Sequence, residues 1–587
     1  MTLPTRVRPS RPRHGLRAVL AGVLCLGLVA GCTSGDGDST RTTDPSSSTP
    51  TEGQGPSATG APGEGASGAG NGSESTFRGS ASRVAPYFMQ DFGQKDVDST
   101  PAVVKVEPAG DGSGPVMERD MVGLSFESED ITDHRWGPDQ GNLDEMLLAL
   151  GSPGLRFGGN SLDRRVFWTS SGENAPDGYD TVITPEDLRR IGAMARRVGS
   201  DVTLGIPLGM NDPERGADMV AHAVDAIGNR LVGVSIGNEP NGFTADEREG
   251  LQIRGDWWDT GAYQRQLRAY VDAIEKKVDG EVPIIGPGAY DGTWMSAFLD
   301  ADLPGTTALT QHWYATYDCD SSEVPGRGPE PENLLSDLVH RSAANQLGIG
   351  KEKADAAGLP LWVEETGSTS CVGDTASSRT HATALWTVDY VLHATEMGVE
   401  RMNMHSMLGP CEGGTAMSVV CSVGGRTEES GAWGGSGEVL PSVNYHGLHL
   451  ASLSVGGRMS EVDVRDGGVA GGGTIRAYAV KKGNSYTVTL VNTGDLTETG
   501  GKRVRIEVPK GFTAVRAAQV AGPANDAVEK TTYQNLITVE AGRKGSGIVA
   551  VEDGKLVANL AAGTATAFVF TPTGDGKPKP KPVSTAG

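Results

Sequence analysis

Two glutamates stand where short apolar runs end. Leu231–Ile236 leads into Gly237-Asn238-Glu239-Pro240-Asn241, and Leu361-Trp362-Val363 leads into Glu364-Glu365-Thr366-Gly367. Two carboxyl groups facing each other across an acetal can break it by double displacement. One protonates the leaving oxygen while the other attacks the anomeric carbon, and the first then activates water. That chemistry needs the pair roughly 5–5.5 Å apart, so each motif must end an element that aims it at a common point. Asn-Glu-Pro alone is often only a turn, and Glu364-Glu365 alone reads as a solvated loop pair. Their joint placement carries the reading. The sequence has no Cys-x-x-Cys or His-Glu-x-x-His pattern, so neither a zinc site nor any other cofactor is expected.

The elements that would position them alternate. Apolar strand-like runs at Val122–Phe126, Leu155–Phe157, Val202–Ile206, Leu231–Ile236, Pro283–Gly286, Ala308–His312, Leu361–Val363 and Arg401–Met404 are separated by helix-period segments. Thr184-Pro185-Glu186 opens one helix with an N-cap threonine and an N1 proline, and Tyr263–Val278 and Ala382–Met397 are amphipathic. Eight strand–helix units close a (β/α)₈ TIM barrel, whose chemistry sits at the C-terminal strand ends. Glu239 and Glu365 then follow strands four and seven, on opposite sides of the mouth. A doubly wound open sheet is the alternative, but no glycine-rich nucleotide turn follows the first strand. After Gly457 short alternating runs (Ile475–Val480, Ser485–Val491, Arg503–Val508, Leu536–Val539, Ala565–Phe570) with Gly, Asn and Asp turns predict a C-terminal β-sandwich. Ala102–Val106, which has no barrel role, is expected to add a strand to it. The expected division is 1–31 signal peptide, 32–97 tether, 98–117 N-terminal strand, 118–456 barrel, 457–572 sandwich and 573–587 tail.

The motifs together resemble glycoside hydrolase family 79, the heparanase and β-glucuronidase family of retaining barrels. The resemblance rests on Gly237-Asn238-Glu239-Pro240-Asn241-x-Phe243, Trp362-Val363-Glu364-Glu365-Thr366, Leu155-Arg156-Phe157-Gly158-Gly159-Asn160, Gln311-His312-Trp313-Tyr314 and Met397-Gly398-Val399-Glu400. It implies Glu239 as acid/base and Glu365 as nucleophile. Strand alternation puts Glu364 and Glu365 on opposite faces and leaves the choice between them open. The resemblance selects Glu365, with Glu364 expected toward the outer layer or a neighbouring loop, where it would need an Arg or Lys partner if buried. It further implies Asn238 on the sugar 2-hydroxyl, Tyr314 and His312 beside the nucleophile, and Glu127, Asn160 and His405 as further sugar contacts. One stretch departs from the family. Gly367-Ser368-Thr369-Ser370-Cys371-Val372-Gly373 lacks the glycine pair whose N–H groups hold a uronic carboxylate in family members. The function implied is a retaining exo-β-glycosidase, a β-glucuronidase foremost. The alternatives are an endo-acting heparanase-like hydrolase and a catalytically silent carbohydrate-binding lipoprotein.

The start of the chain sets the expected compartment. Arg6, Arg8, Arg11, Arg13 and Arg17 precede an apolar run from Ala18 to Ala30, the length of a signal h-region and too short to span a membrane comfortably. Val29-Ala30-Gly31-Cys32 resembles a lipobox, so lipidation at Cys32 and tethering outside the cytoplasmic membrane are expected. The Gly/Ser/Thr/Pro stretch that follows cannot bury enough surface to order itself, and its Gly63-x-Gly65-x-x-Gly68 is a chance match to a nucleotide fingerprint. Cys319, Cys371, Cys411 and Cys421 suggest two disulfides in an exported chain. Four cysteines allow three pairings, of which spacing favours Cys411–Cys421 with Cys319–Cys371. A formal charge of −23 argues against nucleic acid as partner, leaving a carbohydrate as the expected one.

Overall fold

A computed structural model describes residues 97–573 apart from 108–113, 138–139, 245–251, 372–374, 412–414, 416, 424–437, 467–468, 471–472, 540 and 543–546. The expected signal peptide at 1–31, Cys32, nearly all of the expected tether at 32–97, and the expected tail beyond 573 lie outside the described residues.

Among the described residues eight parallel strands close into a barrel, and two six-stranded sheets stack beside it. The barrel strands are Gly123–Glu127, Leu155–Gly158, Val202–Ile206, Leu231–Ile236, Ile284–Ala289, Thr306–Thr316, Leu361–Thr369 and Val399–Ser406. Strands six and seven outrun their apolar cores, because Thr316 and Thr369 remain paired beyond the barrel rim. The Cys319–Cys371 disulfide, with Cα atoms 5.3 Å apart, then ties the two segments just past that pairing. Cys411 and Cys421 form the second bridge. The helix at Pro185–Val198 is bounded as its residues dictate. Thr184 and Asp187 form a capping box, Pro185 supplies the pre-set N1 φ, and Gly199 ends it at φ 78°.

The sheet nearer the barrel buries both faces. Ala518, Val520, Ala565 and Ala567 pack into the barrel's core. Ala514, Ala517, Phe568 and Phe570 fill the space between the two sheets. The strand Phe512–Ala521 was not apparent from sequence, because small alanines on both faces erase the alternation that marks a half-exposed strand.

Val97–Val106 lies inside the outer sheet. It runs antiparallel to Val462–Asp466 and parallel to Gly501–Glu507, with Ala102, Val104 and Val106 buried. A chain starting at Met121 therefore exposes the edges of two former neighbours. We expect its denaturant midpoint to fall well below that of a chain starting at Asp96, which keeps the strand. Equal midpoints would show that the strand does not stabilise the sandwich.

Two barrel helices hold the sandwich through histidines. His381, at the start of His381–Glu396, bonds Thr531 Oγ1 and the Gly563 carbonyl at 3.1 and 2.7 Å. His446 and His449, on Val443–Ser452, stack on Tyr533 with ring centroids 6.4 and 4.5 Å away. Beside them Asp389 accepts from Arg476 (2.6 Å) and Tyr478 (2.7 Å) of the sandwich. Burial pushes all three histidines down to about 4. Unfolded, they titrate near 6.5, so between those values the unfolded chain binds more protons. Stability should be full above pH 6.5 and fall progressively toward pH 4. Thermal midpoints measured across that window test this, and the double variant His446→Phe/His449→Leu should flatten the slope. An unchanged slope would place the acid sensitivity elsewhere.

Candidate active site

The C-terminal mouth of the barrel gathers its polar residues in two tiers. Glu239 follows the fourth strand in a left-handed conformation, φ 48° and ψ 60°, a costly state for a residue with a Cβ and one that clusters at functional sites. Its N–H donates to Gly288 O across the fifth strand (3.2 Å). Gly288 itself has φ 62°, and a Cβ there would lie 3.1 Å from His312 Nε2. His312 Nδ1 stands 3.0 Å from Glu239 Oε1.

Glu365 is bound from two sides. Tyr314 Oη donates to Oε1 (2.7 Å) and Arg156 Nη1 to Oε2 (2.6 Å). Arg156 also donates to Ser125 Oγ at 2.9 Å and Asn238 Oδ1 at 2.5 Å. One guanidinium thus fixes the nucleophile candidate and the residue before Glu239 together. Burial alone would push Glu365 up, but His312, Arg156, His405 and the Tyr314 bond outweigh it and hold its carboxyl at about 2. Burial and the neighbouring carboxylate push the Tyr314 phenol far up, so it stays a donor. A Glu239 oxygen, a His312 ring nitrogen and a Glu365 oxygen all lie within 4.8 Å of one another. A divalent cation there would meet the Arg156 charge already on Glu365, so the cluster suits proton transfer and nucleophilic attack by a carboxylate better than metal binding.

The two adjacent glutamates do not point to opposite faces. Val363 pairs with Gln311 and Glu365 with His312, so Glu364 is the extra residue of a β-bulge and both side chains turn inward. Glu364 lies one tier deeper. Thr203 Oγ1 of the third strand and Asn403 Nδ2 of the eighth (3.1 Å) donate to it, and Arg401 Nε stands 3.2 Å away. The expectation that Glu364 faces the outer layer is therefore corrected, although the arginine partner that burial requires is present.

The remaining expected residues divide. Asn238 Nδ2, His312 Nε2 and His405 Nδ1 are buried with no protein partner, as groups awaiting a ligand would be. Glu127 is instead engaged by the protein. It accepts from Asn160 N (3.2 Å), Ser161 N (3.0 Å) and Ser161 Oγ (2.6 Å), and His405 Nε2 lies 3.3 Å away. Although burial opposes both charges, this pairing lowers Glu127 and raises His405. The Asn160 side chain accepts from Arg164 (3.2 Å).

Sequence reasoning gave no role to Arg156, Ser125 or Asp163. Buried Asp163 accepts from Leu208 N (2.6 Å), Gly209 N (2.9 Å) and Asn238 N (2.7 Å), and so joins the ends of strands two, three and four. An arginine between Leu155 and Phe157 in a buried strand was a legible signal, because such a charge must find a partner. Asp163 gave none, being one acid among many.

The closed barrel with its β-domain is the fold of several solved glycosidases. A 4-O-α-L-rhamnosyl-β-D-glucuronidase from Fusarium oxysporum 12S, solved with Rha-GlcA, is similar over 80% of this chain and 100% of its own, at 20% identity and TM-score 0.58. The GH51 arabinofuranosidase from Xanthomonas axonopodis pv. citri covers the same shares at 13% identity and TM-score 0.57. A monomeric β-xylosidase from Caulobacter crescentus CB15 is similar over 80% of this chain and 99% of its own, at 14% identity and TM-score 0.51. No model of a known protein family matches the chain, and no curated protein matches it by sequence.

Proposed function

We propose that this protein is a retaining exo-β-glycosidase acting on β-glucuronides, with Glu239 as acid/base and Glu365 as nucleophile. The observation that carries the reading is their facing oxygens within 4.8 Å at the barrel mouth, close to the separation of double displacement. Their surroundings differ as the roles demand. Glu365 has a cation and a phenol holding it ionised, ready to attack, whereas Glu239 has an imidazole beside it. Asn238, the residue before Glu239, presents an unpartnered Nδ2 for a ring hydroxyl.

Two observations support glucuronide as the substrate. The Fusarium neighbour is by its name a glucuronidase. Arg164 also places a positive charge that reaches Asp163 first and then Glu239 and Glu127, and an acidic sugar entering a chain of net charge −23 needs a local cation. The four paired cysteines agree with export, and lipidation at Cys32 would hold the enzyme at the outer face of the cytoplasmic membrane.

Hydrolysis of 4-nitrophenyl β-D-glucuronide, compared with the neutral 4-nitrophenyl β-glycosides, tests the reading. Turnover of the glucuronide with retention, lost in Glu239→Ala and Glu365→Ala, is expected. Preference for a neutral glycoside would keep the mechanism and overturn the sugar. Turnover of none would favour the carbohydrate-binding alternative.

A further inference from the structure

Beside the Glu239 loop a cleft of 510 Å³ opens between the segment after strand three and residues 252–257. Its volume lies within the range of roughly 300–1,000 Å³ typical of small-ligand sites. Trp257 stands on its rim and is 60% exposed, the most exposed large apolar side chain among the described residues. An exposed indole offers a large, flat apolar face to a ligand at this rim.

The surroundings are rigid and polar where a sugar would need them. Arg254 Nη1 and Nη2 donate to the carbonyls of Gly209 (2.6 Å) and Leu208 (2.7 Å), which fastens one wall to the other. Asn211 and Gln266 line the same space with amide groups. The cleft is also coupled to the acid/base loop. Trp257 packs edge-on against Trp258 at 5.9 Å, and Trp258 stacks on Phe243 at 5.4 Å. Trp258 Nε1 donates to Pro240 O (2.8 Å), the residue after Glu239. A row of aromatic rings therefore runs from Phe243, in the loop after Glu239, to the surface.

We infer that this cleft is a binding site for a sugar ring of the leaving group, with Trp257 as its stacking platform. The assignment rests on the roles proposed for Glu239 and Glu365. The group that protonates the departing oxygen faces the leaving group, so a cleft built on that loop lies on the departing side. An indole offers a flat apolar face to the C–H face of a pyranose. The amides of Asn211 and Gln266 offer donors and acceptors to its hydroxyls. The enzyme then takes its glycone from a saccharide, and a bare alkyl or fluoride leaving group uses none of this surface.

Trp257→Ala separates the two situations. With β-D-glucuronosyl fluoride, whose leaving group cannot reach the cleft, kcat/KM should be unchanged. With β-glucuronosyl-(1→6)-galactose it should drop about tenfold, mainly through KM, the scale of one lost aromatic contact. Titration calorimetry of that disaccharide into Glu365→Gln protein reads binding without turnover, and adding Trp257→Ala should weaken Kd by a similar factor. Equal Kd values, or no binding by either protein, would overturn the cleft even if hydrolysis stands. Binding that depends on Trp257 in a protein that hydrolyses neither compound would instead overturn the hydrolytic reading and leave the cleft.

Discussion

Glu365→Gly should lose nearly all hydrolysis of an activated aryl β-glucuronide and regain turnover when azide is added, giving a glycosyl azide of inverted configuration. The small anion fits the space left by the carboxylate and attacks from its side, and with no glycosyl-enzyme formed only one displacement occurs. Glu364→Gln should behave differently. Glu364 lies a tier below the mouth, where Thr203, Asn403 and Arg401 surround it. Glutamine keeps an acceptor oxygen for Asn403 Nδ2, turns an NH₂ group toward Thr203 Oγ1, which can accept from it, and removes the charge facing Arg401. The expected cost is therefore in stability, and it should stay below the roughly 3–5 kcal/mol seen when a buried charge is left unpaired, because Asp120 still pairs with Arg401 (2.6 Å). Retention of configuration and much of the rate should survive. Product stereochemistry by NMR, with denaturant midpoints for both variants, reads the distinction. Azide rescue of a glycine at position 364, with none at 365, would reverse the assignment.

Residue types along the chain reveal only part of this arrangement. The eight barrel strands were legible because each is a short apolar run followed by a helical period, and Leu231–Ile236 and Val202–Ile206 were bounded to the residue. Both glutamate motifs were legible because strand ends in a barrel are where function concentrates. The bulge at Glu364 was not. Alternation assumes one residue per partner, and a two-against-one pairing leaves no mark on residue types. The same limit applies to the surroundings of Glu127, for which the resemblance implied a sugar contact. Its partners Ser161 and His405 come from different units of the barrel, and their convergence is a property of closure that periodicity cannot express. Asp163 belongs with these. Three backbone N–H groups from loops 45 and 75 residues away find one carboxylate, and only the assembled barrel shows them together.

Arg156 is the residue whose loss should next most disturb the site. It donates to Glu365, Asn238 and Ser125 at once, so its planar fork sets the distance between the nucleophile and the Asn238–Glu239 pair. Arg156→Met removes both the charge and the fork. Losing one preorganised electrostatic partner of this kind costs about 10²–10³ in kcat, and we expect a fall of that size in kcat/KM for an aryl β-glucuronide. The pH profile should move as well. Glu365 must be ionised to attack, and Arg156 is among the charges that hold its carboxyl near 2 against the opposing effect of burial. Without that cation the carboxyl protonates at higher pH, so activity is lost earlier as pH falls and the acid limb shifts upward. Arg156→Lys keeps a charge but offers no fork to bridge two side chains. Its acid limb should stay near that of the parent while kcat still drops. A methionine variant with a lower rate but an unmoved acid limb would show that Arg156 positions the carboxylate without setting its charge. Equal limbs and equal rates in all three proteins would remove Arg156 from the machinery altogether.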